Sequence, residues 1–285
     1  MAKRSRIEKP IFAFLIIILG GFFGYSMLIE PHALTVETNE FSFGNLPDGF
    51  DNLKIVFLAD FHAYDETSLN RIKSAVDMTN SLTPDIVILG GDFVSNASEN
   101  EPDPLKYIAP SMEIFKQLKA KHGIFAVLGN HDFHIDADAV AKGLTDIGVT
   151  LLRNSHKRIT INKKHIYILG IDDLFSGGGD IKKSQVGMKY PDAFTILVSH
   201  MPEAVFEAQD LGIDLVLSGH THGGQVRVPF YMKVIKGRFI FSDMIRGRYD
   251  MDDTAVYVSR GIGTSILPMR FLSKPEVTKI VLSKK

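Results

Sequence analysis

Five short apolar runs recur along the chain, and each one ends at side chains that can ligate a metal ion. The runs cover residues 53–60, 85–92, 123–132, 193–200 and 213–220. Between them lie helical patterns, such as Thr67–Leu82 and Pro104–Ala120. Continuous apolar runs of this length are typical of strands buried on both faces, and their alternation with helices predicts a layered α/β fold.

The polar residues at the ends of these runs are aspartates, histidines and one asparagine. They are Asp60 and His62, Asp92, Asn130 with His131 and Asp132, His200, and His220 with His222. Ligands of open α/β sheets bind beyond the carboxyl ends of the strands, so these side chains are expected to meet. A single aspartate after a strand is usually a turn or cap residue, and a single H-x-H can be a surface pair. The joint occurrence of five such endings predicts a metal site.

The stretch Ser218–Gln225, SGHTHGGQ, carries the densest part of this pattern. Two residues apart on an extended chain, His220 and His222 present their rings on the same side. Gly223 and Gly224 then allow a sharp turn or a close approach. The 285-residue chain has no cysteine, so a metal ion here must be held by His, Asp, Glu or Asn.

The N-terminus predicts a membrane anchor. Residues 11–29 are uncharged over 19 positions and follow a start that carries Lys3, Arg4, Arg6 and Lys9. This length can cross a bilayer as a helix. A cleaved signal peptide has a shorter apolar core, and a buried soluble helix would rarely lack any polar interruption. We therefore expect a signal anchor over residues 1–30, a lead-in strand and linker over 31–52, and the main domain over 53–285.

Charge is distributed unevenly along the chain. The net charge of -1 gives no general reason to expect nucleic acid as a partner, but residues 225–285 hold 12 Lys and Arg against five Asp and Glu. Such asymmetry favours anionic partners. The candidates for phosphate or head-group contacts are Arg246, Arg248, Arg260 and Arg270, although a solvated strand edge would explain any one of them. Phe230, Tyr231 and Met232 could line an acyl channel or pack in the core.

In chain order, the blocks D-x-H, G-D, G-N-H-D, a lone His and G-H-x-H resemble the calcineurin-like metallophosphoesterases. The sequences GHTHGGQ and GIGTSILPMRFLSKPEVTKIVL resemble the membrane-anchored bacterial branch of that family. The resemblance spans Leu53 to Leu282. It departs at DFHAYD, where the family more usually has D-L-H-x-G; Asp60 and His62 are retained, so the departure concerns the shape of the adjacent loop.

The resemblance implies a four-layer α-β-β-α sandwich with two divalent metal ions at the strand ends. Metal A would take Asp60, His62 and His222, metal B would take Asn130, His200 and His220, and Asp92 would bridge them. Carboxylate, imidazole and amide ligands suit Mn, Fe or Zn. The resemblance also implies that His131 donates a proton to the leaving oxygen or stabilises phosphoryl charge. Asp132 would orient an imidazole or merely cap the following turn.

The implied activity is hydrolysis of phosphodiester or pyrophosphate bonds by a hydroxide that the two metal ions activate, with the domain outside the cytoplasmic membrane. A lipid-linked substrate such as UDP-2,3-diacylglucosamine, a known substrate type in this branch, would explain basic and apolar surface near the metals. Its synthesis is cytoplasmic, which conflicts with an outward domain. The alternatives are a non-catalytic metal-binding scaffold or sensor, and a nuclease of the same superfamily.

Overall fold

Two six-stranded sheets form the centre of the molecule. The computed structural model describes residues 4–95, 103–227 and 244–285. The first sheet has the order β1-β12-β2-β3-β4-β5, and the second has the order β10-β11-β9-β8-β7-β6. The strands of the first sheet are β1 (Thr35–Phe43), β2 (Leu53–Leu58), β3 (Ile86–Leu89), β4 (Ile124–Ala126), β5 (Thr150–Leu151) and β12 (Glu276–Lys284). The strands of the second are β6 (Ser155–Ile161), β7 (Lys164–Gly170), β8 (Thr195–Val198), β9 (Leu215–Ser218), β10 (Gly247–Met251) and β11 (Thr254–Val258).

Parallel pairing brings the carboxyl ends of the central strands together. Strands β2 to β5 are parallel neighbours in the first sheet, and β7, β8, β9 and β11 are parallel neighbours in the second. The antiparallel pairs are β12 with β2, β6 with β7, and β10 with β11. The predicted lead-in strand is β1, which pairs with β12 along its full length.

The described residues form seven α-helices. They are α1 (Arg4–Gly24), α2 (Glu66–Ser81), α3 (Ile108–Phe115), α4 (Asn130–Ile135), α5 (Ala137–Asp146), α6 (Ile181–Gln185) and α7 (Val205–Ala208). One apolar core lies between the sheets and includes Ile55, Phe125 and Ile196. A second packs α2, α3 and α5 on the first sheet, and a third packs α6 and α7 on the other. The expected α-β-β-α order of layers is confirmed.

The third apolar run is shorter as a strand than its sequence suggests. Strand β4 stops at Ala126, and the residues Asn130, His131 and Asp132 form the first turn of helix α4. Gly129 is the N-cap residue of this helix, and the Asp132 carboxylate accepts a hydrogen bond from its backbone N–H. The expectation of an extended G-N-H-D segment is therefore wrong, because the Asp132 side chain stabilises a helix start there.

The N-terminal apolar run forms a helix, α1, continued by a π-helical turn at Tyr25–Ile29. The segment Pro10–His32 is long and apolar enough to cross a membrane, and almost none of it is buried within the protein. Its last part is different, because Ser26 and Glu30 are buried. The backbone N–H of Arg270 donates to the Ser26 carbonyl oxygen at 2.8 Å, so the end of the apolar segment is packed against the C-terminal part of the chain.

Candidate metal centre

The loops that follow β2, β3, β4, β8 and β9 bring all seven predicted ligands to one place. Among the seven predicted ligands, two groups of side chains have ligand atoms within 4.8 Å of one another: Asp60 with His62 and His222, and Asp60 with Asp92 and His200. The two remaining residues, Asn130 and His220, contact each other, with 3.0 Å between His220 Nδ1 and Asn130 Oδ1. The rings of His220 and His200 are 5.2 Å apart, so this pair adjoins the second group.

Asp92 belongs to the second group and also faces His62 of the first. Its Oδ2 atom is 3.1 Å from Nε2 of His200 and 3.4 Å from Nε2 of His62. The His62 Nε2 atom is also 3.0 Å from Nε2 of His222, so two ring nitrogens face each other. A carboxylate in this position can share its oxygens between ions that each set of histidines would hold.

The ring orientation of His200 is fixed by a hydrogen bond. Its Nδ1–H group donates to the carbonyl oxygen of Gly90 at 2.7 Å. The other ring nitrogen, Nε2, faces Asp92 and Asp60. Metal-ligating histidines commonly donate their second N–H to a backbone carbonyl in this way.

The backbone at the site is held in the left-handed region, which ordinary residues rarely adopt. Positive φ values occur at five of the seven predicted ligands: Asp60, His62, Asp92, His220 and His222. Such conformations cost about 1–3 kcal/mol each and persist where the surrounding structure imposes them. Gly91 makes the close packing possible, since a Cβ atom there would lie 2.5 Å from the Gly129 backbone nitrogen.

Burial keeps three of the imidazoles neutral. It lowers the pKa of His62 to about 3 and that of His220 to about 4, and it holds the pKa of His222 well below its usual range. Neutral imidazole is the form that ligates a metal ion. Burial opposes the charged form of His200 too, but the neighbouring Asp92 and Asp60 outweigh it and raise the pKa of His200 to about 10. The two buried carboxylates here thus favour a positively charged neighbour.

The donor set fits divalent metal ions. Within the described part of the chain, four buried ligand atoms find no hydrogen-bond partner: Asp60 Oδ2, His62 Nδ1, His200 Nε2 and His222 Nδ1. Buried polar atoms are rarely left unpaired, and these belong to the residue types that bind Mn, Fe or Zn. The residues present can therefore hold two such ions around Asp92.

His131 lies at the mouth of the cluster and is half-buried. Its ring packs edge-on against His62, with the ring centroids 4.7 Å apart, and one of its nitrogens is within 4.8 Å of ligand atoms of His62 and Asp92. The backbone N–H of His131 donates to Asp92 Oδ1 at 2.9 Å. His131 also lines a cavity of about 650 Å³ together with His220 and His222.

Asp132 does not orient an imidazole, so that expectation is corrected. Its buried carboxylate accepts hydrogen bonds from the backbone N–H groups of Asp92, Phe93 and Gly129 at 2.8–2.9 Å, and from Val94 at 3.4 Å. Because both oxygens are occupied by main-chain donors, Asp132 acts on the shape of two loops. It is a positioning residue for Asp92 and for the start of α4.

The arginines predicted to contact substrate lie in three different settings. Arg270 is fully buried, and its guanidinium donates to the carbonyl oxygens of Gly263, Ser273, Arg260 and Gly261. Arg248 lies on the edge strand β10, where it pairs with Asp250 and lines a separate surface hollow. Because Arg270 is buried, its predicted substrate contact is wrong, whereas that of Arg248 stays a prediction. Arg246 is partly exposed and donates to the Leu272 carbonyl oxygen at 3.0 Å.

Sequence reasoning missed the apolar wall of the cavity beside the metal cluster. The residues Phe175, Met201, Val226, Ile266 and Leu267 line it. Isolated apolar residues in loops carry no periodic pattern, so only the tail sequence around Ile266 could have drawn attention to them. The acyl-channel hypothesis for Phe230, Tyr231 and Met232 lies outside the described residues.

Comparison with known proteins agrees with this geometry. The model of the calcineurin-like phosphoesterase family matches residues 53–224. The chain belongs to this family. In this phosphoesterase the predicted ligand residues therefore lie within the domain that defines the family. The protein is a metal-dependent hydrolase of phosphoric esters.

Three relatives resemble the phosphoesterase over most of its length. It is 33% identical to the metallophosphoesterase YkuE of Bacillus subtilis over 92% of this chain and 90% of the relative. It is 28% identical to the phosphodiesterase YaeI of Escherichia coli, over 91% and 92%. It is 32% identical to a transmembrane protein with a metallophosphoesterase domain of Danio rerio over 83% of this chain, which spans about half (54%) of that protein.

Replacing Arg270 by methionine should lower the free energy of unfolding by about 3 kcal/mol, because several buried carbonyl oxygens would lose their donor. Burial lowers the pKa of Arg270 to about 9, so the side chain is charged at neutral pH. The measurement is chemical unfolding of the full chain in detergent. Arg248→Met is the matched control and should change stability by about 0–1 kcal/mol, since its ion pair is exposed. Equal effects of the two variants would contradict the structural role of Arg270.

Replacing Asp92 by asparagine should reduce the content of both metal ions, because a bridging carboxylate contacts two ions. His222→Ala and His200→Ala should each remove mainly one ion of a bound pair. The measurement is elemental analysis of the purified full chain, with Asp146→Asn on the exposed end of α5 as the control. Loss of the same single ion in all three site variants would contradict a bridge at Asp92.

Proposed function

We propose that the protein hydrolyses phosphodiester or pyrophosphate bonds at a centre of two divalent metal ions. Asp60, His62 and His222 hold one ion, Asn130, His200 and His220 hold the other, and Asp92 bridges them. The observation that carries this proposal is the position of the Asp92 carboxylate between His62 and His200. Manganese, iron and zinc all suit this set of nitrogen and oxygen donors.

The metal ions supply, when bound, activation of a water nucleophile and stabilisation of phosphoryl charge. The residues of the chain bind these ions and orient the groups that react. His62, His220 and His222 offer neutral rings, and the His200 ring is held by Gly90. His131 holds the proton that the leaving oxygen needs, since it borders both the cluster and the open cavity. General acid catalysis of this kind contributes about 10²–10⁴-fold.

A scaffold or a sensor that only binds metal has no need of His131 at the mouth of the cavity, so catalysis is the better explanation of this residue. A nuclease would need a basic groove along the cleft. Within the described part of the chain, Arg270 is buried and Arg248 lies at a separate surface hollow, which supports a smaller substrate.

The protein is anchored in the cytoplasmic membrane by its N-terminal helix, and its substrate is a phosphorylated molecule presented there. The length and exposure of Pro10–His32 support the anchor, as does the transmembrane relative from Danio rerio. The basic residues before the helix favour an extracytoplasmic domain. The apolar cavity wall suits a lipid-linked phosphodiester or pyrophosphate, of which UDP-2,3-diacylglucosamine is one specific candidate.

Replacing His131 by alanine should lower turnover of a phosphodiester by about 10²–10⁴-fold while the metal content stays near that of the parent protein. The full chain in detergent would be assayed on bis(p-nitrophenyl) phosphate with manganese, and its bound metal would be counted. His134→Ala, an exposed histidine on the same helix, is the control and should keep activity. Loss of metal from the His131 variant, or full activity on a poor leaving group, would contradict the role given to His131.

The outward orientation can be tested because the chain has no cysteine. A cysteine at exposed Lys142 should react in intact spheroplasts with a maleimide that does not cross membranes, since it lies in the outward domain. A cysteine at Ser5, before the apolar run, should react only after the membrane is permeabilised. The opposite pattern of labelling would show that the domain faces the cytoplasm.

A further inference from the structure

A short segment beside the metal cluster exposes apolar side chains to solvent. Ile266 is 85% exposed, Leu267 54% and Leu272 52%. We call these three residues and the chain between them, residues 266–272, the apolar lip. Ile266 and Leu272 have φ values of 63° and 55°, in the left-handed region that β-branched and bulky residues avoid. The backbone is thus held in an unfavourable conformation while these side chains remain uncovered.

Hydrogen bonds from Gln225 fix the start of the lip. Its side-chain amide donates to the carbonyl oxygens of Ser265 and Leu267 at 2.8 and 3.1 Å, and its Oε1 atom accepts from the Ser265 backbone N–H at 2.8 Å. Since Gln225 follows the metal-binding turn directly, the lip and the predicted ligand His222 are attached to the same short stretch of chain. The exposed conformation is therefore built into the site and is not a frayed loop.

The other side of the lip contacts the N-terminal helix. The Phe271 ring lies 4.8 Å from that of Phe22 and 6.3 Å from that of Tyr25, measured between centroids. The backbone N–H of Arg270 donates to the Ser26 carbonyl oxygen, and that of Ser273 donates to the Glu30 carboxylate. These contacts join the lip to the point where the apolar helix ends.

Exposed apolar side chains occur at the end of the helix, on the lip and at the cleft. Leu28 and Ile29 at the helix end are 74% and 57% exposed, and the lip follows. Ile266 and Leu267 then line the cavity that also contains His131 and His222. Scattered exposed apolar residues need no explanation, but a contiguous patch marks a surface that something covers.

We propose that the apolar lip is a second membrane-contact surface, which inserts into the bilayer beside the N-terminal helix and turns the mouth of the metal cleft towards the lipid head groups. The proposal rests on the membrane anchoring stated above. The bilayer is the occupant because the helix that adjoins the lip is itself long and apolar enough to span it. Arg246, bonded to the Leu272 carbonyl oxygen, places a cation at the base of the lip, where anionic head groups would lie.

The test uses tryptophan fluorescence, because the chain contains no tryptophan and any introduced indole reports alone. Leu267→Trp is made in the full-length protein and reconstituted into vesicles of phosphatidylcholine and phosphatidylglycerol, with or without bromine on the acyl chains. Val186→Trp is the matched control, since Val186 is a 75% exposed apolar residue next to helix α6. We expect bromine to remove most of the emission from position 267 and to leave that from position 186 unchanged.

A second variant, Leu272→Trp, tests the other end of the lip and keeps the proposal testable if the first variant misfolds. The proposal would be overturned if the protein sediments with the vesicles but bromine leaves the emission from both lip positions unaffected. A blue-shifted emission that bromine does not reduce would do the same, because it would indicate a protein partner. Failure of the protein to sediment with vesicles would instead overturn the anchoring, and none of these three outcomes depends on phosphodiester hydrolysis.

Discussion

The whole site depends on one buried carboxylate that binds main-chain amides. Asp132 accepts hydrogen bonds from Asp92, Phe93 and Gly129, and a longer one from Val94, so it joins the loop after β3 to the loop after β4. This fixes the backbone of Asp92 and starts the helix that carries His131. The side chain of Asp132 thereby sets the distance between the proposed bridging carboxylate of Asp92 and the proposed proton donor His131.

Hydrogen bonds from main-chain amides also join the loops that carry the predicted ligands on both sheets. The N–H groups of Phe61 and His62 both donate to the Asp92 carbonyl oxygen, and the N–H of His220 donates to Asp60 Oδ1. Each loop therefore supports the left-handed backbone of its neighbour. Rigid placement matters here because a two-ion centre tolerates little error in the positions of its ligands.

The sequence is sufficient to predict the layers of the fold and the meeting of the ligand side chains. Strands buried on both faces read as continuous apolar runs, and the ends of parallel strands converge by geometry. The same reasoning cannot separate an arginine that binds substrate from one that supports the chain. Arg270 and Arg246 both stand in a basic tail, but only tertiary packing buries Arg270 under four carbonyl oxygens. The role of Asp132 cannot be predicted from the sequence either. An aspartate next to a histidine is compatible with a hydrogen bond to the imidazole ring and with hydrogen bonds to the backbone.

Arg270 links the candidate metal centre to the N-terminal apolar helix. Its guanidinium holds Gly263 and Ser273, and its backbone N–H holds Ser26 at the end of the apolar helix. A Cβ atom on Gly261, whose carbonyl oxygen also accepts from Arg270, would lie 2.6 Å from the Asp60 side chain. The same segment of the chain therefore packs against the predicted ligand Asp60 and holds the end of the N-terminal helix. An arginine suits this position because its planar fork carries several donors in fixed directions. The position of the cleft relative to the helix thus depends on this buried side chain.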